Sequence, residues 1–218
     1  MPTSMPAQMS DQSAADAEPV PQARRSTGTG LLLLIAGLIG GAAAFTLAVE
    51  KVLLLKNPTY SPSCSINPIL SCGSVMVTKQ AEVFGFPNPF IGVLTFPVVV
   101  TIGVLALAKV PLPRWVWLGL NTGAALGVAF IHWLIAQSLY SIGALCPYCM
   151  VVWVVTVTIF WYVTVHNLRH DLLPVPAALH KPAALLVEYH SVVPVLWGCV
   201  IIGLIGQNFW DYWRTLFG

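Results

Sequence analysis

Charge is what this chain has least of. Only 8% of its 218 residues are Asp, Glu, Lys or Arg and 57% are hydrophobic, whereas soluble domains carry roughly 25% charged residues. Between Arg114 and Arg169 there is no Asp, Glu, Lys or Arg at all. With a mean hydropathy of +0.79, this excludes a water-soluble globular domain and indicates an integral membrane protein. A net charge of +2 is too small for the electrostatic footprint of a nucleic-acid binder. There is no internal repeat, and no Cys or His set with zinc-ribbon spacing. Residues 1–28 have almost no aromatics and are rich in Ser, Ala, Pro and Gln. Such a segment cannot bury a core and reads as a disordered tail.

What is present is a series of long apolar runs. Leu31 to Val49 and Phe90 to Ala108 each have spanning length, about 20 residues. The uncharged stretch after Arg114 is too long for one span. It divides at Ser141-Ile142-Gly143 into a third span near 115–139 and a fourth near 147–166. Ser191 to Trp210 is the fifth, preceded by a loop over 168–190 and followed by a short tail to Gly218. The expected fold is an all-α membrane protein. It has a four-helix bundle over 29–167, a fifth transmembrane helix in 191–218, and a loop with a short helix between spans one and two. Gly37 with Gly41, and Gly119, Gly123 and Gly127, recur at helical spacing and read as close helix packing.

Orientation follows from basic residues. With five spans, Arg24, Arg25, Lys109, Arg114, Arg169 and Lys181 fall on one side. Lys51, Lys56, Lys79 and Arg214 fall on the other, offset by Glu50, Glu82 and Asp211. This bias places the N-terminus in the cytoplasm. Arg24-Arg25 and the small residues Ala42–Ala44 also fit a cleaved signal sequence, but the apolar run continues through Phe45 to Leu55. Trp115, Trp117, Trp161, Trp210 and Trp213 lie near span ends, as interfacial anchors do.

The chemistry lies in cysteine. Cys64 and Cys72, spaced C-x7-C, sit in the polar loop from Asn57 to Pro89, and Cys146-Pro147-Tyr148-Cys149 opens the fourth span. The orientation above puts both pairs outside the cytoplasm, where disulfides persist. Asn67-Pro68 reads as a helix start, with Cys72 in the second turn and Cys64 in flexible chain upstream. Pro147 starts the fourth helix, so Cys149 lies in its first turn, where unpaired N–H groups favour a thiolate. Two thiol pairs at a bilayer surface can relay electrons by disulfide exchange. A static disulfide stapling the loop, or a four-thiolate metal site joining the pairs, are the competing readings. The fifth cysteine, Cys199, reads as a packed, inert mid-helix thiol. His132 lies mid-span and reads as a hydrogen-bonded core histidine. Lys79 and Glu82 read as solvated loop charges.

Cys64-x7-Cys72-Gly73-Ser74-Val75-Met76, then Phe84-Gly85, Asn88-x-x-x-Gly92, and C-x-x-C at the head of the fourth span together resemble the vitamin K epoxide reductase family in its bacterial form. The resemblance covers about residues 31–166. It implies a bundle built around a quinone, menaquinone or ubiquinone, in a bacterial cytoplasmic (inner) membrane. It implies Cys64 and Cys72 as a shuttle pair and Cys146 and Cys149 as the quinone-facing pair. Asn88 falls at a position that hydrogen-bonds a quinone carbonyl and Thr78 at a Ser/Thr position, and Phe84 joins them as a quinone-site residue. Trp153 stands where animal members have Tyr; its indole N–H can still donate. Many bacterial members continue into a thioredoxin-like domain. This chain ends eight residues beyond the fifth span, so the expected partner is a separate extracytoplasmic DsbA-like or thioredoxin-like protein. The implied activity is that of a thiol:quinone oxidoreductase generating disulfides, with no metal. The alternative is a non-catalytic assembly factor or metal carrier.

Overall fold

The computed structural model describes residues 27–217 apart from 175 and 177–179. Among the described residues the regular elements are all helical, and the only strand-like feature is a lone bridge. The expected tail lies outside the described residues up to 26; Thr27 and Gly28 already belong to the first helix, α1 (Thr27–Lys56). At 1.5 Å per residue α1 is about 45 Å long, beyond the ~30 Å hydrocarbon core. Its last turns carry Glu50 and Lys51.

The loop after α1 holds a one-turn helix, α2 (Cys72–Met76), and a 3-10 turn at Lys79–Glu82. Then come α3 (Pro89–Leu107), α4 (Arg114–Gln137), α5 (Pro147–Arg169), α6 (His180–Glu188), α7 (Val192–Asn208) and α8 (Trp210–Phe217). Four of these helices, α1, α3, α4 and α5, are long and apolar enough to cross a membrane. The bent pair α6–α7, with 77° between its members, makes a fifth crossing if counted as one. The chain is a multi-pass membrane protein with the expected fold class.

The bundle core is apolar. Leu33, Ala36 and Ala44 of α1 meet Phe96, Val99, Ile102 and Ala106 of α3 and Val155, Ile159 and Val163 of α5. Little hydrophobic force separates helix from lipid, so close backbone approach supplies the packing energy. A Cβ on Gly103 would stand 2.7 Å from the Leu34 nitrogen, and one on Gly37 2.8 Å from Val100 Cγ2. The Gly37 expectation therefore holds. The α4 glycines behave differently: Gly119 and Gly123 meet nothing within 4 Å, and only Gly127 packs, against Thr156.

The break expected near 141–143 is present. Past Gln137 a π-helical turn runs over Ser138–Ile142 and stops at Gly143, whose φ of +66° is the left-handed region that suits glycine. The segment taken as a loop over 168–190 contains α6, and a break at Phe209 turns the end of the fifth span into α8.

Several side chains depart from expectation. Cys199 lies mid-helix but is exposed on the protein surface rather than packed. His132 is also exposed. It is tied to α7, because Trp197 Nε1 donates to its Nε2 at 2.8 Å. With Nε2 accepting, Nδ1 carries the proton and donates to Val128 O at 2.8 Å. Trp117 is buried, its ring 4.0 Å from that of His166, so it is a core residue and not an interfacial anchor.

Candidate active site

Pro147 fixes the first helical position of α5 and leaves Cys146 as its N-cap. The Cys146 sulfur accepts the Cys149 backbone N–H at 3.3 Å. On the opposing loop, Ser71 caps α2: its hydroxyl accepts from Ser74 N at 3.2 Å, which places Cys72 at the first position of that turn. The helix does not start at Asn67-Pro68 as the sequence suggested. Asn67 instead folds a turn, its Oδ1 accepting from Ile69 N at 3.0 Å and Leu70 N at 2.7 Å.

This turn delivers Ile69 to Ser71 to the strand-like edge before α5. Leu70 and Leu145 form a parallel bridge, with Leu145 N donating to Ile69 O at 2.7 Å and Ser71 N to Leu145 O at 2.9 Å. The bridge brings the two cysteine pairs together. Cys64 and Cys72 form a disulfide with Cα atoms 5.5 Å apart. Cys72 Sγ lies 3.2 Å from Cys146 Sγ. Cys64, Cys72 and Cys146 are all buried, with Leu47 and Met76 closing the cluster, while Cys149 is half-buried. Burial of Cys64 corrects the expectation of a flexible, accessible arm.

Hydrogen bonding from Cys149 holds the Cys146 thiol below its ordinary value; burial opposes this, and the N–H groups of Cys149 and Tyr148 reinforce it. A thiolate-prone sulfur in contact with a disulfide sulfur is the starting geometry for exchange. The three sulfurs of Cys64, Cys72 and Cys146 lie within 4.8 Å of one another, but the disulfide joins two of them and leaves only Cys146 of the three as a free thiol.

Residues 31–164 match the vitamin K epoxide reductase family. The chain belongs to that family. No curated protein matches it. Membership in the vitamin K epoxide reductase family makes the chain a membrane thiol oxidoreductase, and the family uses quinones. The matched region contains both cysteine pairs.

The other residues assigned from the resemblance are spread around the cysteines. Trp153 is buried one turn below Cys149, among Ile131, Ile135 and Val157. Phe84 is exposed, its ring 6.2 Å from Phe86 and 5.6 Å from Phe130. Thr78 donates to Val75 O at 2.8 Å. Asn88 precedes α3 without capping it. Its Nδ2 donates to Gln80 O at 2.7 Å and its Oδ1 accepts from Val83 N at 3.2 Å, so it braces the 3-10 turn. The apolar wall around half-buried Cys149 suits a hydrophobic ring. The Asn88 amide is already engaged with the loop in this arrangement.

Sequence reasoning missed Glu50 and Lys51. Both are buried at the end of α1. Lys51 Nζ donates to Met76 O at 2.7 Å and pairs with Glu82 at 2.8 Å, so Glu82 is no free loop charge. Glu50 accepts from Ser63 Oγ at 2.6 Å and Ser63 N at 3.3 Å. Their signal was available: two adjacent charges inside an apolar run, which are costly unless partnered.

Proposed function

We propose that the chain is a thiol:quinone oxidoreductase that makes disulfides in a separate extracytoplasmic DsbA-like or thioredoxin-like protein. The observation that carries this reading is the 3.2 Å approach of Cys72 Sγ to Cys146 Sγ. The partner's dithiol reduces the Cys64–Cys72 disulfide and is itself oxidised. The Cys72 thiolate attacks Cys146 of an oxidised Cys146–Cys149 pair, forming a Cys72–Cys146 bond and releasing Cys149 as thiolate. Cys64 then attacks Cys72, restores the Cys64–Cys72 disulfide and releases Cys146. The outer pair ends oxidised and the inner pair reduced, which is the arrangement of sulfurs described above. A menaquinone or ubiquinone supplies the final two-electron, two-proton acceptor. Cys149, half-buried against an apolar wall with Trp153 below it, presents the thiol to that acceptor. Phe84 contributes an aromatic edge, and Asn88 and Thr78 shape the loop above it.

The charge asymmetry supports a cytoplasmic N-terminus, with the cysteines outside the cytoplasm of a bacterial inner membrane. The deciding experiment is anaerobic. Reduced protein in detergent is mixed with a soluble quinone, and quinol and free thiols are counted together. The expected result is one quinol per two thiols lost, abolished by Cys149→Ala. Thiols that persist while quinone is untouched would return the chain to the alternative, an assembly factor or metal carrier. The three clustered sulfurs favour that second reading, under which the reduced protein retains stoichiometric zinc or copper through purification.

A further inference from the structure

Two neighbouring residues of α1 hold opposite arms of the loop that carries the Cys64–Cys72 disulfide. Glu50 binds Ser63, the residue before Cys64, through both its hydroxyl (2.6 Å) and its N–H (3.3 Å). The same carboxylate pushes the Tyr60 pKa up. Lys51 binds Met76 O at the far end of the turn that Cys72 begins, and pairs with Glu82 in the next turn. Both side chains are buried, and both belong to the last part of a helix anchored in the bundle core. Consecutive helix residues point about 100° apart, so a single rigid element reaches both arms without touching either sulfur. A cation at a buried carbonyl and a carboxylate on a hydroxyl and an N–H are charge-assisted contacts, the stronger class of hydrogen bond.

The two arms have different tasks. The Cys72 arm must stay on Cys146 for internal exchange. The Cys64 arm must leave its buried position before any outside thiol can reach it. We propose that Glu50 and Lys51 are positioning residues with divided roles: Lys51 holds the Cys72 arm against Cys146, and Glu50 with Ser63 latches the Cys64 arm shut. This rests on the exchange sequence proposed above, but its tests need neither quinone nor partner protein.

The latch is read by the rate at which dithiothreitol reduces the Cys64–Cys72 disulfide in purified full-length protein. The dithiol gives two electrons and two protons to that bond and becomes a cyclic disulfide. Ser63→Ala and Glu50→Ala are expected to accelerate reduction about tenfold, the size of a lost charge-assisted hydrogen bond. Glu50→Gln, which keeps an oxygen facing Ser63 but not the charge, should fall between the wild-type and Glu50→Ala rates. The clamp is read in a Cys149→Ala background, where Cys146 has no resolving thiol and the chain partitions between Cys64–Cys72 and Cys72–Cys146 bonds. Lys51→Met is expected to shift that ratio about tenfold toward Cys64–Cys72, and Lys51→Arg to restore it. A thermal melt accompanies each variant. Unchanged reduction rates in Ser63→Ala overturn the latch, even if Glu50→Ala fails to fold. A lowered melting point with an unchanged bond ratio in Lys51→Met overturns the clamp. Failure of the thiol:quinone reading would show instead as thiols that quinone leaves untouched, whatever these variants do.

Discussion

Leu70 and Leu145, 75 residues apart in sequence, pair their backbones in a single parallel bridge, and each stands within two residues of a redox sulfur. The bridge's two hydrogen bonds, at 2.7 and 2.9 Å, register the loop against the head of α5. Cys72 then meets Cys146 by backbone geometry and not by side-chain chance. Leu145→Pro removes the N–H that binds Ile69 O. A proline there is expected to slow Cys72–Cys146 bond formation by at least about tenfold, in line with about 1.4 kcal/mol or more of lost positioning. Quench-and-trap mass spectrometry in a Cys149→Ala background measures the rate. An unchanged rate would mean that packing around Leu47 and Met76 sets the register instead.

Sulfur geometry also fixes which bonds form when one thiol is missing. In Cys149→Ala, Cys146 has no resolving neighbour and Cys72 is 3.2 Å away. An internal Cys72–Cys146 bond is expected to accumulate beside the Cys64–Cys72 bond. In Cys72→Ala, Cys64 has lost its partner, and a mixed disulfide with the secreted thiol protein on Cys64 is expected. Peptide mapping that finds the partner on Cys146 would reverse the proposed order of exchange.

Topology can be tested with the same sulfurs. After reduction, a membrane-impermeant maleimide on intact cells is expected to modify Cys64 in a Cys199→Ser background. Before reduction it should modify neither Cys64 nor Cys72, which the disulfide consumes. Labelling confined to lysed cells would invert the orientation read from Lys and Arg.

Much of this was legible in the chain. Spans were visible because apolar length is a physical requirement of the bilayer, and the break after α4 showed because Gly143 permits a left-handed residue where the helix must stop. Pro147 announced the start of α5, but the sulfur that takes an N–H there is that of Cys146 and not, as expected, that of Cys149. The loop was harder, because its folding is decided by contacts distant in sequence. Asn67-Pro68 looked like a helix cap, but the Asn67 side chain closes a turn on Leu70, whose backbone joins Leu145. Glu82 looked solvated until Lys51, 31 residues earlier, was placed beside it. Gly119 and Gly123 had the spacing of a packing face, yet among the described residues nothing lies within 4 Å of a Cβ placed on either.

Asn88 illustrates how one residue can serve loop and pocket. Its amide bridges Gln80 O and Val83 N, and two such bonds contribute about 1–3 kcal/mol together. Asn88→Ala is expected to lower the melting point by several degrees. It should also slow quinone reduction about tenfold or more, through the loop that carries Phe84. Reduction of Cys64–Cys72 by a partner thiol should be nearly intact. A lowered melting point with a wild-type quinone rate would leave Asn88 as a brace alone.

The pH dependence of Cys146 follows from its neighbours. Its thiol lies below the ordinary cysteine value chiefly because Cys149 donates to it, so its thiolate persists to lower pH than that of a free cysteine. The sign is that of an acid with a depressed pKa: reactivity is full above the ordinary value and falls as pH drops through the lowered one. Removing the donor with Cys149→Ala withdraws the largest cause and leaves burial, which acts the other way. The midpoint for Cys146 alkylation by iodoacetamide, measured in fully reduced protein, is therefore expected to move up in Cys149→Ala. Cys149→Ser retains a hydroxyl donor, so its midpoint should lie between the other two. A midpoint that stays in place in Cys149→Ala would assign the low value to the N–H groups at the head of α5, because those are unchanged by the substitution.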